Sequence, residues 1–163
     1  VPNSIVADYK LSRLEQWEGN YNLALRHIDQ AILNFKTSYS PYPKDMVTRA
    51  IIDAFLEIPE MHDLFRLRGY INEELEKDRE SIVDYTSAIE SIPNPVHRDD
   101  FLDLQNFYQN RAVVWYALGN GNQACNDLIK YKEFGEKAET ELSEHMADWF
   151  DYMCEDHKRN ILD

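Results

Sequence analysis

The sequence predicts an all-helical domain, and three observations carry that expectation. Apolar residues recur at steps of three and four almost throughout, which is the period of a helix and not of a strand. Only five glycines and six prolines interrupt 163 residues, too few turns for a many-stranded sheet. The interruptions are also clustered, at Gly19-Asn20, from Ser38 to Pro43, at Pro59, at Pro93-Asn94-Pro95, at Gly119-Asn120 and at Gly135, and they cut the chain into seven or eight helical stretches.

The first stretch runs from Ile5 to Glu18. The second, Tyr21 to Thr37, carries Leu25, Ile28, Ile32 and Phe35 on one stripe and stops where Pro41 and Pro43 cannot continue a helix. A third covers Asp45 to Glu57, a fourth Glu60 to Leu75 and a fifth Asp78 to Ile92. The sixth extends from Arg98 to Leu118, the seventh from Asn122 to Phe134, and an eighth fills the remainder after Gly135.

With 44% hydrophobic and 29% charged residues the composition is that of a globular protein, and the length suits one domain over 1–163 with its own core. The formal charge of -13, from 30 acids against 17 lysines and arginines, repels phosphate backbones and argues against nucleic acid and anionic membrane as partners. Such a surplus serves solubility first and steering of a basic partner second. No apolar run approaches the ~20 residues of a membrane span, so no membrane insertion is expected. The chain begins at Val1 without a Met or a visible leader, so a processed or trimmed start is expected, and the compartment stays open between cytoplasm and export.

Self-similarity is visible. Gly19-Asn20 precedes Ala24 at the same distance as Gly119-Asn120 precedes Ala124. Between them, Phe65, Gly69, Ser81, Tyr85, Ala88 and Pro93 stand at the spacings of the tetratricopeptide signature, and this stretch resembles that repeat family. A first copy, over about 5–37, resembles it through Leu11, Ser12, Tyr21, Ala24, Ile28 and Ala31; a third, over about 105–137, through Tyr108, Ala112, Trp115, Gly119 and Ala124. The middle copy spans about 62–95. What the resemblance implies is a short right-handed superhelical solenoid of antiparallel helix pairs, with small residues such as Ala88 at the close crossings. It is an irregular one, since family repeats recur at about 34 residues and an extra helix over 45–57 separates the first two copies. The third copy is also similar to a bacterial subgroup, through Leu118-Gly119, Ala124-Cys125, Asp127 and Gly135. A solenoid must cover its last repeat. A helix over 136–160 is expected to do so, burying Ala138, Leu142, Met146, Trp149 and Met153 and turning its acids to water.

Nothing in the sequence points to catalysis. Carboxylate pairs such as Glu73-Glu74 and Asp99-Asp100 lack a positioned nucleophile or a phosphate loop and read as solvated surface. The five histidines form no i, i+4 pair; Cys154 and His157 make at most half of a metal site. No cofactor and no metal are expected, and the chain is expected not to be an enzyme.

The family resemblance implies a binding role for a protein or peptide partner. In such repeats the first helix of each pair lines a concave groove. Its groove positions fall here on Val6, Tyr9, Arg13 and Gln16, on Asp63, Arg66, Tyr70 and Glu73, and on Asn106, Gln109, Val113 and Tyr116, with Asn110 beside them. Tyr9, Arg13, Gln16, Arg66, Tyr70, Asn106, Gln109, Asn110, Val113 and Tyr116 form the candidate partner-binding set, rich in side chains that offer both contact area and hydrogen bonds. A clamp for chaperone carboxyl termini would need Lys and Asn where Tyr9 and Arg13 stand, which disfavours that partner. The alternative to a binding module is a structural element that self-associates, as a homo-oligomer or within a larger assembly.

The two cysteines are expected to be free. Cys125 lies ten residues before Gly135 and Cys154 nineteen after it, so two straight helices meeting at Gly135 would leave a stagger of roughly 13 Å at about 1.5 Å per residue. That exceeds the ~7 Å reach between disulfide α-carbons unless the last helix breaks and folds back.

Overall fold

In a computed structural model, which describes residues 2–38, 58–141, 146–152 and 154, the regular elements are all helices, and no strand occurs among the described residues. They are α1 (Pro2–Trp17), α2 (Tyr21–Ser38), α3 (Met61–Glu74), α4 (Asp78–Glu90), α5 (Arg98–Ala117) and α6 (Gly121–Lys137). A last helical segment covers 146–152. The expected helix over 45–57 lies outside the described residues. The chain divides into two compact units, Val1–Lys77 and Asp78–Asp163, so the boundary falls inside the middle copy read from the sequence.

In unit 1, α2 packs against both α1 and α3, and α1 touches α3. Small residues meet between α1 and α2: Ser12 and Ala24 are fully buried, and the Ser12 hydroxyl donates to the Ala24 carbonyl oxygen at 2.9 Å. Ile5, Ile28, Ala31, Leu64 and Ile71 of the same unit are also fully buried. Unit 2 repeats the device on α5 and α6, where Ala112 and Ala124 are fully buried in one cluster with Leu128, Tyr131 and Met146. The residue numbers 12 and 24 become 112 and 124, the same spacing across the same kind of turn.

Those turns share one geometry. Gly19 and Gly119 have φ of +78° and +75°, and in each case the next amide reaches back five residues, Asn20 to the Glu15 carbonyl and Asn120 to the Trp115 carbonyl, both at 2.8 Å. This satisfies the last helical carbonyls and favours a residue without a Cβ. Two further turns repeat it with glutamate in the left-handed position: Glu76, with Lys77 bonded to the Asn72 carbonyl, and Glu139, with Thr140 bonded to the Gly135 carbonyl.

The turn at Glu139 overturns the expected end of the seventh helix. Gly135 is not a stop but a buried position inside α6, kept as glycine because a Cβ there would lie 2.5 Å from Gln105 Nε2 and 3.0 Å from Thr140 Oγ1. Gln105 is itself buried and accepts a hydrogen bond from the Thr140 hydroxyl at 3.2 Å. Gly135→Ala therefore sets the ~1 kcal/mol gain of Ala over Gly in a helix against displacement of a buried amide. We expect a net loss of about 1 kcal/mol by urea unfolding, removed when Gln105→Ala is added.

A continuous capping helix from Glu136 is corrected by the same turn, since α6 ends at Lys137, Glu139 takes a left-handed conformation, and the last described helical segment covers 146–152. The last helical segment packs on α5 and α6: Met146 is buried among Ala112, Ala124, Leu128 and Tyr131, with Trp149 and Phe150 packed beside it. Leu142 and Met153 of the expected stripe lie outside the described side chains.

The free-cysteine expectation is also wrong. Cys125 and Cys154 are joined in a disulfide with their α-carbons 5.2 Å apart. The chain turns back after Lys137, not at Gly135. The premise of two straight helices meeting at Gly135 fails: α6 runs on to Lys137 and the chain leaves the helical path at Glu139, ahead of the last helical segment.

Ser81, on α4, is fully buried, and its hydroxyl has no hydrogen-bond partner among the described residues. A lone buried hydroxyl is a cost of about 1–3 kcal/mol. Ser81→Ala is expected to raise the melting temperature, with a gain on the order of 1 kcal/mol; a fall would show that the hydroxyl is satisfied.

Candidate partner-binding faces

In unit 1 the contact of α1 with α3 brings together Tyr9, Arg13, Asp63 and Arg66 of the expected groove residues. Tyr9 is half-buried, and the exposed Arg13 lies with its guanidinium 5.9 Å from the Tyr9 ring centre. From α3, Asp63 and Arg66 lie close enough to act on the Tyr9 hydroxyl: burial raises its pKa, Asp63 raises it further, and Arg66 and Arg13 pull it down without cancelling the rise. Tyr9 thus stays a neutral hydrogen-bonding group in a cluster of one carboxylate and two guanidiniums. Asp63 has other duties. It accepts from the Glu60 amide at 3.1 Å at the start of α3, as a capping acid does, and pairs with Arg66 at 3.6 Å.

Further along α3, Tyr70 is exposed, and its hydroxyl meets the Glu74 carboxylate, which holds its pKa up. Tyr21, at the start of α2, meets the same carboxylate with the same effect. The Tyr21 and Glu74 pairing with Tyr70 was not legible, because Tyr21 sits on a packing position and Glu74 one step off the groove register. Gln16 is half-buried and, with Lys10, Arg13, Leu14 and Trp17, lines an open hollow of about 400 Å³.

In unit 2 the set lies along α5. Asn106, Val113 and Tyr116 are exposed, and Gln109 and Asn110 are half-buried. The last helical segment reaches this row at two points: Gln109 Nε2 donates to the Met146 sulfur at 3.4 Å, and the Tyr116 and Tyr152 hydroxyls hydrogen-bond, which raises the Tyr116 pKa. The expected apolar stripe contained Met146, but nothing in it marked Tyr152 as a neighbour of Tyr116.

Behind the row, on α5, Arg111 ties three helices together. Its Nε and one terminal nitrogen each donate to Asp127 of α6 at 2.8 Å, and its other terminal nitrogen donates to the Thr86 hydroxyl of α4 at 2.8 Å. The guanidinium also lies 5.3 Å from the Tyr108 ring centre. Burial pushes the Arg111 pKa down, yet the Asp127 hydrogen bonds and charge leave it raised overall. Tyr108 in turn stacks on Phe134, with ring centres 5.6 Å apart.

No group of three or more metal-ligating side chains occurs among the described residues. The sulfur of Cys154 is bonded to Cys125, so it is not the thiolate ligand that a Cys154-His157 half-site would need; His157 lies outside the described residues. No described helix is long and apolar enough to cross a membrane. Comparison with models of known protein families finds no match, and a search of curated proteins finds no relative.

Proposed function

We propose that the chain is a non-catalytic interaction module of the tetratricopeptide kind, which binds a protein or an extended peptide through the first helix of each helix pair. The carrying observation is the meeting of Tyr9, Arg13 and Arg66, from two helices, in one part-exposed cluster. These are positions that the repeat register assigns to a groove, and they lie far apart in sequence. Two features support the register: the buried small pairs Ser12 with Ala24 and Ala112 with Ala124, and the packing of α2 on both its own partner α1 and the following α3. A tyrosine held neutral beside two guanidiniums offers a flat apolar surface together with donors for backbone carbonyls and acidic side chains. On α5, Asn106, Gln109 and Asn110 offer amide donors and acceptors beside the apolar Val113.

The test is selection from a displayed random-peptide library, followed by calorimetric titration of the selected peptides. Arg13→Ala with Arg66→Ala is expected to weaken their binding at least about tenfold, or ~1.4 kcal/mol, while unfolding free energy changes by no more than about 0.5 kcal/mol. Unaltered binding with a large loss of stability would mean that these arginines belong to the packing.

A further inference from the structure

A different face of α1 is open. Leu11 and Leu14 are exposed, and Trp17 is 83% exposed, an unusual position for so large an apolar ring. Lys10 and Arg13 flank this strip, three residues apart, in a molecule whose net charge is -13. The last helical segment carries the opposite chemistry. Asp148 and Asp151, also three apart, are exposed, and Tyr152 beside them is 69% exposed. Two cations and two carboxylates at the same helical pitch, roughly 4.5 Å of rise, match when the helices lie side by side in parallel. Lys10 then meets Asp148, Arg13 meets Asp151, and Leu14 falls opposite Tyr152 with Trp17 one turn on.

We propose that the α1 face docks the last helical segment of a second copy of this chain. Because the two faces differ, the contact is heterologous: the pair keeps one unused α1 face on one copy and one unused tail segment on the other, so a further copy adds at either end. Arg13 borders both faces, but the inference does not rest on the groove reading, and Leu14, Trp17, Asp148 and Asp151, the residues changed in the test, are outside that set.

Sedimentation velocity at ~0.15 M salt, where the Debye length of about 8 Å mutes the repulsion between acidic copies, is the experiment. For a contact with Kd on the order of 0.1 mM, the weight-average mass should rise from 19.3 kDa to beyond twice that value as the protein is concentrated towards ~1 mM. Leu14→Glu with Trp17→Glu, and separately Asp148→Lys with Asp151→Lys, should each remain monomeric. An equal mixture of the two variants should form dimers and nothing larger, since only one competent pair of faces remains. Circular dichroism checks that both are folded, and Trp17→Gln alone replaces the first variant if it is not. A wild type that stays monomeric, which would leave the α1 face to some other acidic protein, overturns the proposal. So does a mixture that fails to dimerise, or one that grows past the dimer.

Discussion

Asp127→Ala is expected to cost about 3–5 kcal/mol of unfolding free energy, because it strands a charged guanidinium that the fold has largely removed from water. The side chains of Asp127 and Arg111 are 7% and 16% exposed, and two charge-assisted hydrogen bonds of 2.8 Å join them. Arg111 cannot relieve the loss by giving up its proton. Arg111→Met combined with Asp127→Leu should recover most of the loss, since a buried pair replaced by apolar groups of similar volume is often neutral or better. Urea unfolding of the two single variants and the double variant measures it. Near-equal single losses that do not add would identify the pair as one unit.

The second large effect is expected from the cysteines. The disulfide closes a loop across a sequence separation of 29 residues, for which the chain-entropy argument gives about 3–4 kcal/mol. Cys125→Ala with Cys154→Ala should lower stability by that order. A dithiol reductant should do the same to the wild type and nothing further to the variant. Denatured wild type without reductant should show no free thiol, and titration with a thiol reagent checks this directly.

The helix ends show what the sequence made legible. Gly19 and Gly119 could be read as helix stops because only glycine enters the left-handed conformation without penalty, and both are in it. Gly135 looks identical on the page. It is there for a different reason, to let the Gln105 amide approach a helix that runs on. Meanwhile Glu76 and Glu139 enter the left-handed conformation with ordinary side chains, a choice made by the turn around them and carried by no local letter. The misplaced turn at Gly135 is what separated the cysteines in the sequence reading. Helix period and small-residue spacing, by contrast, are local and survive: Ser12, Ala24, Ala112 and Ala124 are all fully buried.

The candidate faces divide along the same line. Tyr9 and Arg13 on α1 lie close to Arg66 on α3, and the part of this that is legible is the phase of each helix, which puts known residues on one side. Contacts that depend on how one helix ends against another, such as Tyr21 with Glu74 or Tyr116 with Tyr152, have no such phase to read. Arg111 and Asp127 are a further case: Asp127 stands out only through the subgroup resemblance and Arg111 not at all, and their pairing appears only where α5 packs on α6.

Joining Cys125 to Cys154 also makes a covalent ring of the backbone between them. A protease that cuts once anywhere inside this ring opens it but frees nothing. The last helical segment stays tethered to α6 through sulfur, and the nicked molecule keeps its intact mass plus one water. Only reductant then releases the tail. Gels run with and without reductant after brief proteolysis would therefore give different pictures of one digest, and a cut outside the ring would look the same in both.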